Sequence, residues 1–279
     1  MFQLRSTYRH GVTLLELVVV IAIIGVVVAL TVVAVQRVRD SAARAHSQNN
    51  VKNITLAVHH LADTQGRLPT VPLDYVNGYW TILKPSRPMM VQILPYLEED
   101  AKPDAGSPVR VIGMYLSPAD PTASQAATKS EPATSYAANA TAFRQALPIG
   151  AAFADGSSNT IAFAEHYAFG CMGVRFLYNY NGLSPWPIHR AAFADSDDVE
   201  PVTEGLPPVT RPNTIYPVTF QAAPSLSDCN PRLAQTPHSS GMIVSMCDGS
   251  VRIVSPGISS STYWALVTPR AGDCPGGDW

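Results

Sequence analysis

The stretch RHGVTLLELVVVIAIIG, residues 9 to 25, places one carboxylate, Glu16, inside a run that is otherwise strongly apolar. From Leu17 to Val35, nineteen consecutive residues carry no formal charge. A helix rises about 1.5 Å per residue, so this run spans about 28 Å, close to the roughly 30 Å hydrocarbon core of a bilayer. The stretch therefore predicts a helix that crosses a membrane once.

The position of Gly11 argues against a cleaved secretory signal. Such a signal has an apolar core of about 7 to 15 residues, and it is cut after that core. Here the glycine suited to processing precedes the apolar run, so cleavage would leave the helix on the chain. The alternative, a buried helix of a soluble core, is disfavoured because helices that are apolar on every side are unusual in soluble domains.

Glu16 needs a physical reason to lie in this run. A carboxylate at the centre of a bilayer costs about 2.5 to 3.5 kcal/mol on insertion scales. Glu16 lies near the start of the helix, where the backbone dipole supplies partial positive charge. Cleavage after Gly11 would also give Val12 a new α-amino group, and we expect that cation to pair with Glu16 of a neighbouring chain.

The order of Arg5, Arg9, Gly11, the VTLLE sequence and a long apolar helix resembles the prepilin leader of type IV pilins and type II secretion pseudopilins. The resemblance implies cleavage after Gly11 by a prepilin peptidase, N-methylation of Val12, and Glu16 as the assembly carboxylate. Phenylalanine is commoner in the family at the position of Val12, although aliphatic residues are tolerated there.

Six further segments resemble, in order, the bacterial family called domain of unknown function 1559, whose prepilin-like members end in an H-x9-D-G signature. That signature comprises His238, Asp248 and Gly249 here. The resemblance implies a structural protein at the surface or in the periplasm with no established enzymatic activity. The segments are AVQRVRDSAARAHSQNNVKNITLAVHHLADTQGRLP, VQILPYLEED, YLSPADP, TSYAANATAF, DGSSNTIAFAEH and HSSGMIVSMCDGSVRIVS.

The same family often carries cysteine where this chain has Ser47 and Ser117. Their joint replacement would make sense if the two cysteines normally pair, so we interpret the serines as a missing covalent link between the helix and the rest of the domain. The chain's own cysteines lie at other positions, form no C-x-x-C motif and permit three connectivities. They are Cys171, Cys229, Cys247 and Cys274.

The composition narrows the class of protein. The formal net charge of −2 gives no electrostatic basis for binding nucleic acid, which requires clustered lysine and arginine. Charged residues make up 14% of the chain, compared with roughly 25% in ordinary soluble domains. The 24 prolines and 18 glycines favour a loop-rich domain with short strands.

Beyond the apolar run the helix is expected to continue as an amphipathic segment until Gly66 and Pro69 end it. We therefore predict an α+β protein in which a long N-terminal helix packs on a β-rich globular domain. The predicted divisions are a leader at 1–11, a transmembrane helix at 12–35, an amphipathic continuation at 36–65 and an extracytoplasmic domain at 66–279. The chain would lie in the inner membrane as a single-pass protein, with its N-terminus cytoplasmic and its C-terminal domain periplasmic or extracellular.

Alternating β-branched residues predict short strands in the C-terminal part. A short helix is also predicted around Met90 to Leu97, although Pro95 interrupts it. The predicted strands are Val109 to Leu116, Thr160 to His166, Val174 to Tyr180, Val218 to Gln221, Met242 to Cys247 and Ser250 to Val254.

Asp248 and Gly249 separate the last two strands and predict a two-residue type I′ turn. This turn would pair residues 247 with 250, 246 with 251, 245 with 252 and 244 with 253. The face that carries Ser245, Cys247 and Arg252 would then point away from the main core. We interpret the H-x9-D-G signature as a folding motif, since His238 and Asp248 are expected to lie about 15 Å or more apart along a strand.

Other functions remain as alternatives. The acidic run DSDDVE, 195 to 200, could hold Ca²⁺, but it lacks the EF-hand spacing, so a solvated loop and no cofactor are expected. Exposed aromatic residues could make a surface module for glycans or another partner, and the candidates are Tyr178, Tyr180 and Trp186. A membrane-tethered hydrolase is least favoured, because none of the searched nucleophile, metalloprotease or nucleotide motifs occurs in the sequence. The sequence thus predicts a non-enzymatic subunit whose partners are membrane lipid, a prepilin peptidase and other pilin-like subunits.

Overall fold

The structure is a computed structural model. It describes residues 14–71, 74–76, 79–81, 89–97, 111–128, 133–171, 191–194, 219–230 and 233–279. The chain divides into two compact units, Met1–Ala42 and Ala43–Trp279.

Helix α1, Leu14–Gln65, contains 52 residues and contributes to both units. Its side chains are exposed from Leu14 to Ala42, and the buried ones begin at Ser47. From there Val51, Ile54, Val58 and Leu61 follow one helical face and are at most 2% exposed. Gly66 ends the helix with a φ of 71°, a left-handed conformation in which glycine carries no steric penalty. The predicted end of the helix and its amphipathic second half agree with the structure.

The globular unit contains a five-stranded sheet in the order β5-β3-β4-β8-β9. Strands β4, β8 and β9 form an antiparallel succession, whereas β5 runs parallel to β3. Two further two-stranded pairs are β1 with β2 and β6 with β7. The strands are β1 Asp74–Val76, β2 Tyr79–Thr81, β3 Tyr136–Asn139, β4 Ile161–Glu165, β5 Ala192–Phe193, β6 Gln221–Ala222, β7 Gln235–Thr236, β8 Met242–Met246 and β9 Val251–Val254.

Helices cover the sheet on both faces. On one face, Ile243 and Cys247 pack with the buried side chains of α1. On the other face, Met242, Val244 and Met246 pack against α5, Ser260–Val267. All five residues of β8 are therefore buried. The short helices α2 Met89–Gln92, α3 Ala123–Thr128 and α4 Ile149–Ala152 complete the set of α-helices in the described residues.

The β8–β9 hairpin corrects the predicted register by one residue. Ser245 pairs with Val251 and Val244 with Arg252. Gly249 donates its N–H to the Met246 carbonyl at 3.0 Å and adopts a φ of 86°, so the loop has three residues, 247 to 249, instead of two. The predicted exposed face was consequently wrong for Ser245 and Cys247, which are buried beneath α1.

Several predicted elements differ from the structure. In place of a strand ending at Leu116, a 3-10 helix runs over Gly113–Tyr115. Tyr115 is fully buried there and donates its hydroxyl to the Met90 carbonyl at 2.6 Å. The predicted helix around Met90 to Leu97 is divided into α2 and a 3-10 helix, Leu94–Tyr96, that has Pro95 in its first turn. The predicted strand from Val174 to Tyr180 lies outside the described residues.

Four other predicted strands are found with shifted ends. Thr160 to His166 is confirmed as β4, and the two hairpin strands are confirmed as β8 and β9. Near Val218 to Gln221 the strand is β6, which starts at Gln221. Strand β3 and helix α5 were not predicted; β3 lies between β5 and β4 in the sheet, and α5 packs on one face of it.

Cys171 and Cys229 form a disulfide, whereas Cys247 is a buried thiol and Cys274 an exposed one. The disulfide connects the segment after β4 to the segment before β7. One pair of the four cysteines is therefore joined, and none of the three connectivities that would pair all four is formed.

Candidate functional site

Glu16 lies in the first turn of α1, which begins at Leu14, and its side chain is exposed. The first turn of a helix has backbone N–H groups without intrahelical acceptors, and its partial positive charge favours a carboxylate. Gly11 and Val12, the predicted cleavage and methylation positions, lie outside the described residues. The structure therefore places the predicted assembly carboxylate at the positive end of the helix.

The segment that follows Glu16 exposes a continuous apolar surface. In the described part of the chain, α1 is the helix that is long and apolar enough to cross a membrane, and no residue of its most apolar stretch is buried. Leu30 and Val38 are each 68% exposed. Exposure of so many aliphatic side chains to water is unfavourable, by about 25 cal/mol for each Å². The helix thus suggests membrane anchoring.

A buried polar cluster joins α1 to the sheet in the globular unit. The Ser47 hydroxyl donates to Glu165 Oε1 at 3.1 Å and lies 3.0 Å from the Tyr136 hydroxyl. Ser117 donates to the Ser47 oxygen at 3.2 Å. The predicted proximity of Ser47 and Ser117 is therefore observed as a hydrogen bond between two buried side chains.

Glu165 also accepts hydrogen bonds from the sheet. Its Oε2 atom accepts from the Thr236 hydroxyl at 2.6 Å and from the Ile243 backbone N–H at 3.0 Å. Burial raises the pKa of Glu165 to about 7, and the hydrogen bonds from Thr236, Ile243 and Ser47 offset part of that effect. Glu165 is thus a titratable group near neutral pH that connects α1, β7 and β8.

A second buried acid, Asp120, organises the loop that contains the SPADP sequence. Its Oδ1 atom accepts from the Thr122 N–H at 2.8 Å, and its Oδ2 atom accepts from the Ser135 hydroxyl at 2.7 Å and the Ala168 N–H at 2.9 Å. Burial raises the pKa of this carboxyl despite those bonds. Because each oxygen is held by donors of the protein, we assign Asp120 a structural role.

The H-x9-D-G residues lie at opposite ends of β8. His238 precedes the strand, and its N–H donates to the Thr236 hydroxyl at 3.2 Å. Asp248 follows it in the hairpin loop and accepts from the Ser250 N–H at 2.8 Å and the Ser250 hydroxyl at 2.7 Å. With Gly249 in the left-handed conformation, these contacts are those of a loop-forming residue pair.

The C-terminal tail caps helix α5. Asp278 accepts from the Ser259 N–H at 2.8 Å and from the Thr262 hydroxyl at 2.5 Å, and these hydrogen bonds, first that from Thr262, lower its pKa to about 2. Beside it, the Arg252 guanidinium lies 4.4 Å from the centre of the Trp279 ring. The last two residues thus contact both α5 and β9.

A groove of about 870 Å³ lies beside α5. Its lining residues come from the segment after β3, one face of α5 and residues 269–276. Arg270 donates to the Gln145 amide oxygen at 3.4 Å, and Thr268 donates to Asp273 at 3.2 Å. The described lining includes one thiol, Cys274, and no histidine.

Two sets of predicted candidates fall outside the described residues. They are the acidic run at 195–200 and the aromatic residues Tyr178, Tyr180 and Trp186. In the part that the structure does describe, no group of three or more histidine, cysteine or acidic side chains is placed to hold a metal ion.

Two family models match parts of this chain. Residues 6–32 match the family model described as the prokaryotic N-terminal methylation motif. Residues 36–147 match the model described as a protein of unknown function, DUF1559. Together these findings match a type IV pilin-like DUF1559 protein, which confirms the resemblance drawn from the sequence. No curated protein and no solved structure matches the chain.

The methylation motif and the apolar helix fit a pilin-like or pseudopilin-like subunit, and the motif suggests a structural protein. Sequence reasoning missed the buried roles of Glu165 and Asp120 and the capping role of Asp278. Each of these carboxylates accepts hydrogen bonds from residues that are distant in the sequence or that belong to an element that was not predicted. The sequence did offer one signal for Glu165, because this acid lies within a predicted strand. A carboxylate that is buried in a sheet needs hydrogen-bond donors around it.

Proposed function

We propose that this chain is a structural, non-enzymatic pilin-like or pseudopilin-like subunit that assembles through its N-terminal helix with like subunits. A prepilin peptidase would remove residues 1–11, and Val12 would be methylated. Residues 12–35 would then lie in the inner membrane, with the N-terminus cytoplasmic, and residues 36–65 would continue the helix into the domain at 66–279. The observation that carries the proposal is that the acidic residue Glu16 lies in the first turn of an exposed apolar helix, within a matched methylation motif.

The physical argument concerns the pairing of Glu16. An apolar helix would insert more favourably without this acid, so a helix that serves only as an anchor gains nothing from it. A methylated α-amino group on a neighbouring copy would supply an opposite charge in a medium of low dielectric constant, where such a pair is strong. The exposed apolar side chains around Glu16 would pack against those of the same neighbour.

The disulfide supports the proposed location of the globular unit in the periplasm or outside the cell. Disulfides form and persist in the periplasm and outside the cell, and they are rare in the cytosol. Cys171 and Cys229 are joined in this unit. Protease added to spheroplasts should therefore digest the C-terminal domain, and the opposite topology would protect it.

The assembly role is tested by Glu16→Ala in the full chain, coexpressed with a prepilin peptidase. We expect unchanged recovery in the membrane fraction and a loss of filaments or crosslinked oligomers of roughly tenfold or more, because a paired charge in lipid is removed. Leu17→Ala is the matched control, since this neighbour is also exposed but uncharged. Equal oligomer yields from Glu16→Ala and the parent protein would refute the role.

Processing is tested separately by mass spectrometry of the N-terminus of the purified native protein. The proposal requires a chain that starts at a methylated Val12. A chain that still begins at Met1 would refute the predicted processing, whatever the behaviour of the Glu16 variant.

A further inference from the structure

The buried carboxylate of Glu165 lies between three elements of the globular unit. Its two oxygens accept hydrogen bonds from Ser47 on α1, from Thr236 on β7 and from the backbone of Ile243 on β8. The side chain is 1% exposed, so a change in its charge must be balanced by groups of the protein.

Arg44 is the cation that acts on this carboxylate. It lies one helical turn before Ser47, and its charge lowers the pKa of Glu165, although by less than burial raises it. Its Nη2 atom donates instead to the Ser240 hydroxyl at 2.7 Å and to the Gly241 carbonyl at 3.2 Å. Its Nε atom is buried and has no hydrogen-bond partner in the described part of the chain. Arg44 therefore holds the loop before β8 while one of its donors is unused.

Ser47 allows the carboxyl group to change its protonation state in place. Its hydroxyl lies 3.1 Å from Glu165 Oε1, 3.0 Å from the Tyr136 hydroxyl and 3.2 Å from the Ser117 hydroxyl. A hydroxyl group can rotate from donor to acceptor. It can thus donate to an ionised Glu165 or accept the proton of a neutral one, with its own proton turned to Tyr136 or Ser117.

The other titratable groups near the carboxyl are Tyr136 and Tyr167, which act on it electrostatically, and His238, which shares the Thr236 hydroxyl through its backbone N–H. Burial raises the pKa of Tyr136 to about 12 and also raises that of Tyr167, so both stay neutral between pH 5 and 9. Arginine side chains in general carry a charge throughout this range. Of the carboxyl and these two tyrosines, Glu165 is therefore the group whose charge changes. The His238→Gln variant removes the imidazole of the loop as a separate source of pH dependence.

We propose that Arg44 changes its hydrogen-bond partners when the protonation state of Glu165 changes. While Glu165 is protonated, Arg44 holds the Ser240 and Gly241 loop. When Glu165 is ionised, the guanidinium turns to the carboxylate, pairs its unused Nε there, and releases the loop at 238–241. The fold thus contains a pH-sensitive contact between the start of the buried part of α1 and the surface loop that carries His238. This inference does not depend on the proposed assembly through α1.

The test is hydrogen exchange with mass spectrometry on the full chain in lipid nanodiscs at pH 5.5 and 8.5, corrected for the intrinsic pH dependence of exchange. We expect protection of peptides that cover 238–241 to fall roughly tenfold at the higher pH, because two charge-assisted bonds from Arg44 are lost. Glu165→Gln has the same shape without the charge and should keep the loop protected at both values. His238→Gln should still respond.

Arg44→Gln should leave the loop unprotected at both pH values, since the cation that holds it is gone. A response that persists in Glu165→Gln, or a parent protein that shows none, would overturn the proposal. If Glu165→Gln does not fold, the parent protein still decides the matter. A loss of protection that extends equally through β8 would indicate general loosening and would also overturn it.

Discussion

Replacing Ser47 and Ser117 together by cysteine should restore a covalent link between α1 and the globular unit. The two hydroxyl oxygens are 3.2 Å apart, and both side chains are buried. A disulfide bond needs two side chains that already point at each other, and the hydrogen bond shows that these do. We therefore expect the Ser47→Cys, Ser117→Cys variant to form a disulfide spontaneously in an oxidising medium.

The size of the effect follows from the loop that the bond would close. The two positions are 70 residues apart in sequence, and the chain-entropy relation gives about 4 kcal/mol for a loop of that length. The substitution also removes the hydroxyl that donates to Glu165, at a cost of about 1 to 3 kcal/mol, because a thiol is a weak donor. The oxidised variant should thus exceed the parent protein by about 1 to 3 kcal/mol, and the reduced variant should fall below it.

The assay is urea unfolding of the full chain in detergent, followed by fluorescence with and without reductant. The parent protein controls for its own Cys171–Cys229 bond, which the reductant also breaks. Each single variant, Ser47→Cys or Ser117→Cys, controls for the loss of a hydroxyl, and peptide mapping identifies the bonded pair. If the double variant keeps two free thiols at these positions, or if reductant changes its stability no more than it changes the parent's, the reasoning is refuted.

Three further outcomes are expected. The folded-state pKa of Glu165, about 7, exceeds its ordinary 4.5, so the protonated form stabilises the fold fully below pH 4.5, and about 3 kcal/mol is lost as the pH rises through 7. Glu165→Gln should make the free energy of unfolding less dependent on pH. The same pH dependence in the variant and in the parent protein would contradict the assignment. Asp278→Asn should lower the Tm by a few degrees, and the parent should lose that contribution as the pH falls through about 2. Gly241→Ala should destabilise the domain by about 1 to 3 kcal/mol in urea unfolding, since its φ is 139° and a Cβ atom would lie 2.7 Å from the Val254 carbonyl oxygen. Gly257→Ala is the control, because a Cβ atom there would come no closer than 3.7 Å to a neighbour. An equal loss of stability in both variants would contradict the prediction.

The hairpin shows how far local pattern can predict structure. Alternation of β-branched residues and the Asp248-Gly249 pair located β8, β9 and the loop between them. The register of the two strands could not be predicted in this way, because the same sequence is compatible with a two-residue and with a three-residue loop. The observed register buries Cys247 beneath α1 and brings Ser245 within 2.6 Å of the Thr55 hydroxyl. Only the helix packed on that face could decide between the two.

The buried acids show the same limit. Glu165 lies in a predicted strand, yet its hydrogen-bond donors come from positions 47, 236 and 243. Asp155 directly precedes Gly156 in the sequence, and its side chain accepts from the distant N–H groups of Ala271 and Gly272 at 2.8 and 3.1 Å. Residue spacing does not predict such hydrogen-bond partners, because the acid and its donors come together only after the chain has folded.

By itself the sequence determined the long helix, its apolar first part, its amphipathic second part and its end near Gly66, because helix periodicity and capping depend on residues a few positions apart. It also determined the position of Glu16 near the start of that helix. The tertiary structure decided that helices cover both faces of the sheet, that Ser47 meets Ser117, and that Glu165 receives its donors from three elements. These contacts join residues distant in sequence, and their free energy depends on burial and geometry that no local pattern contains.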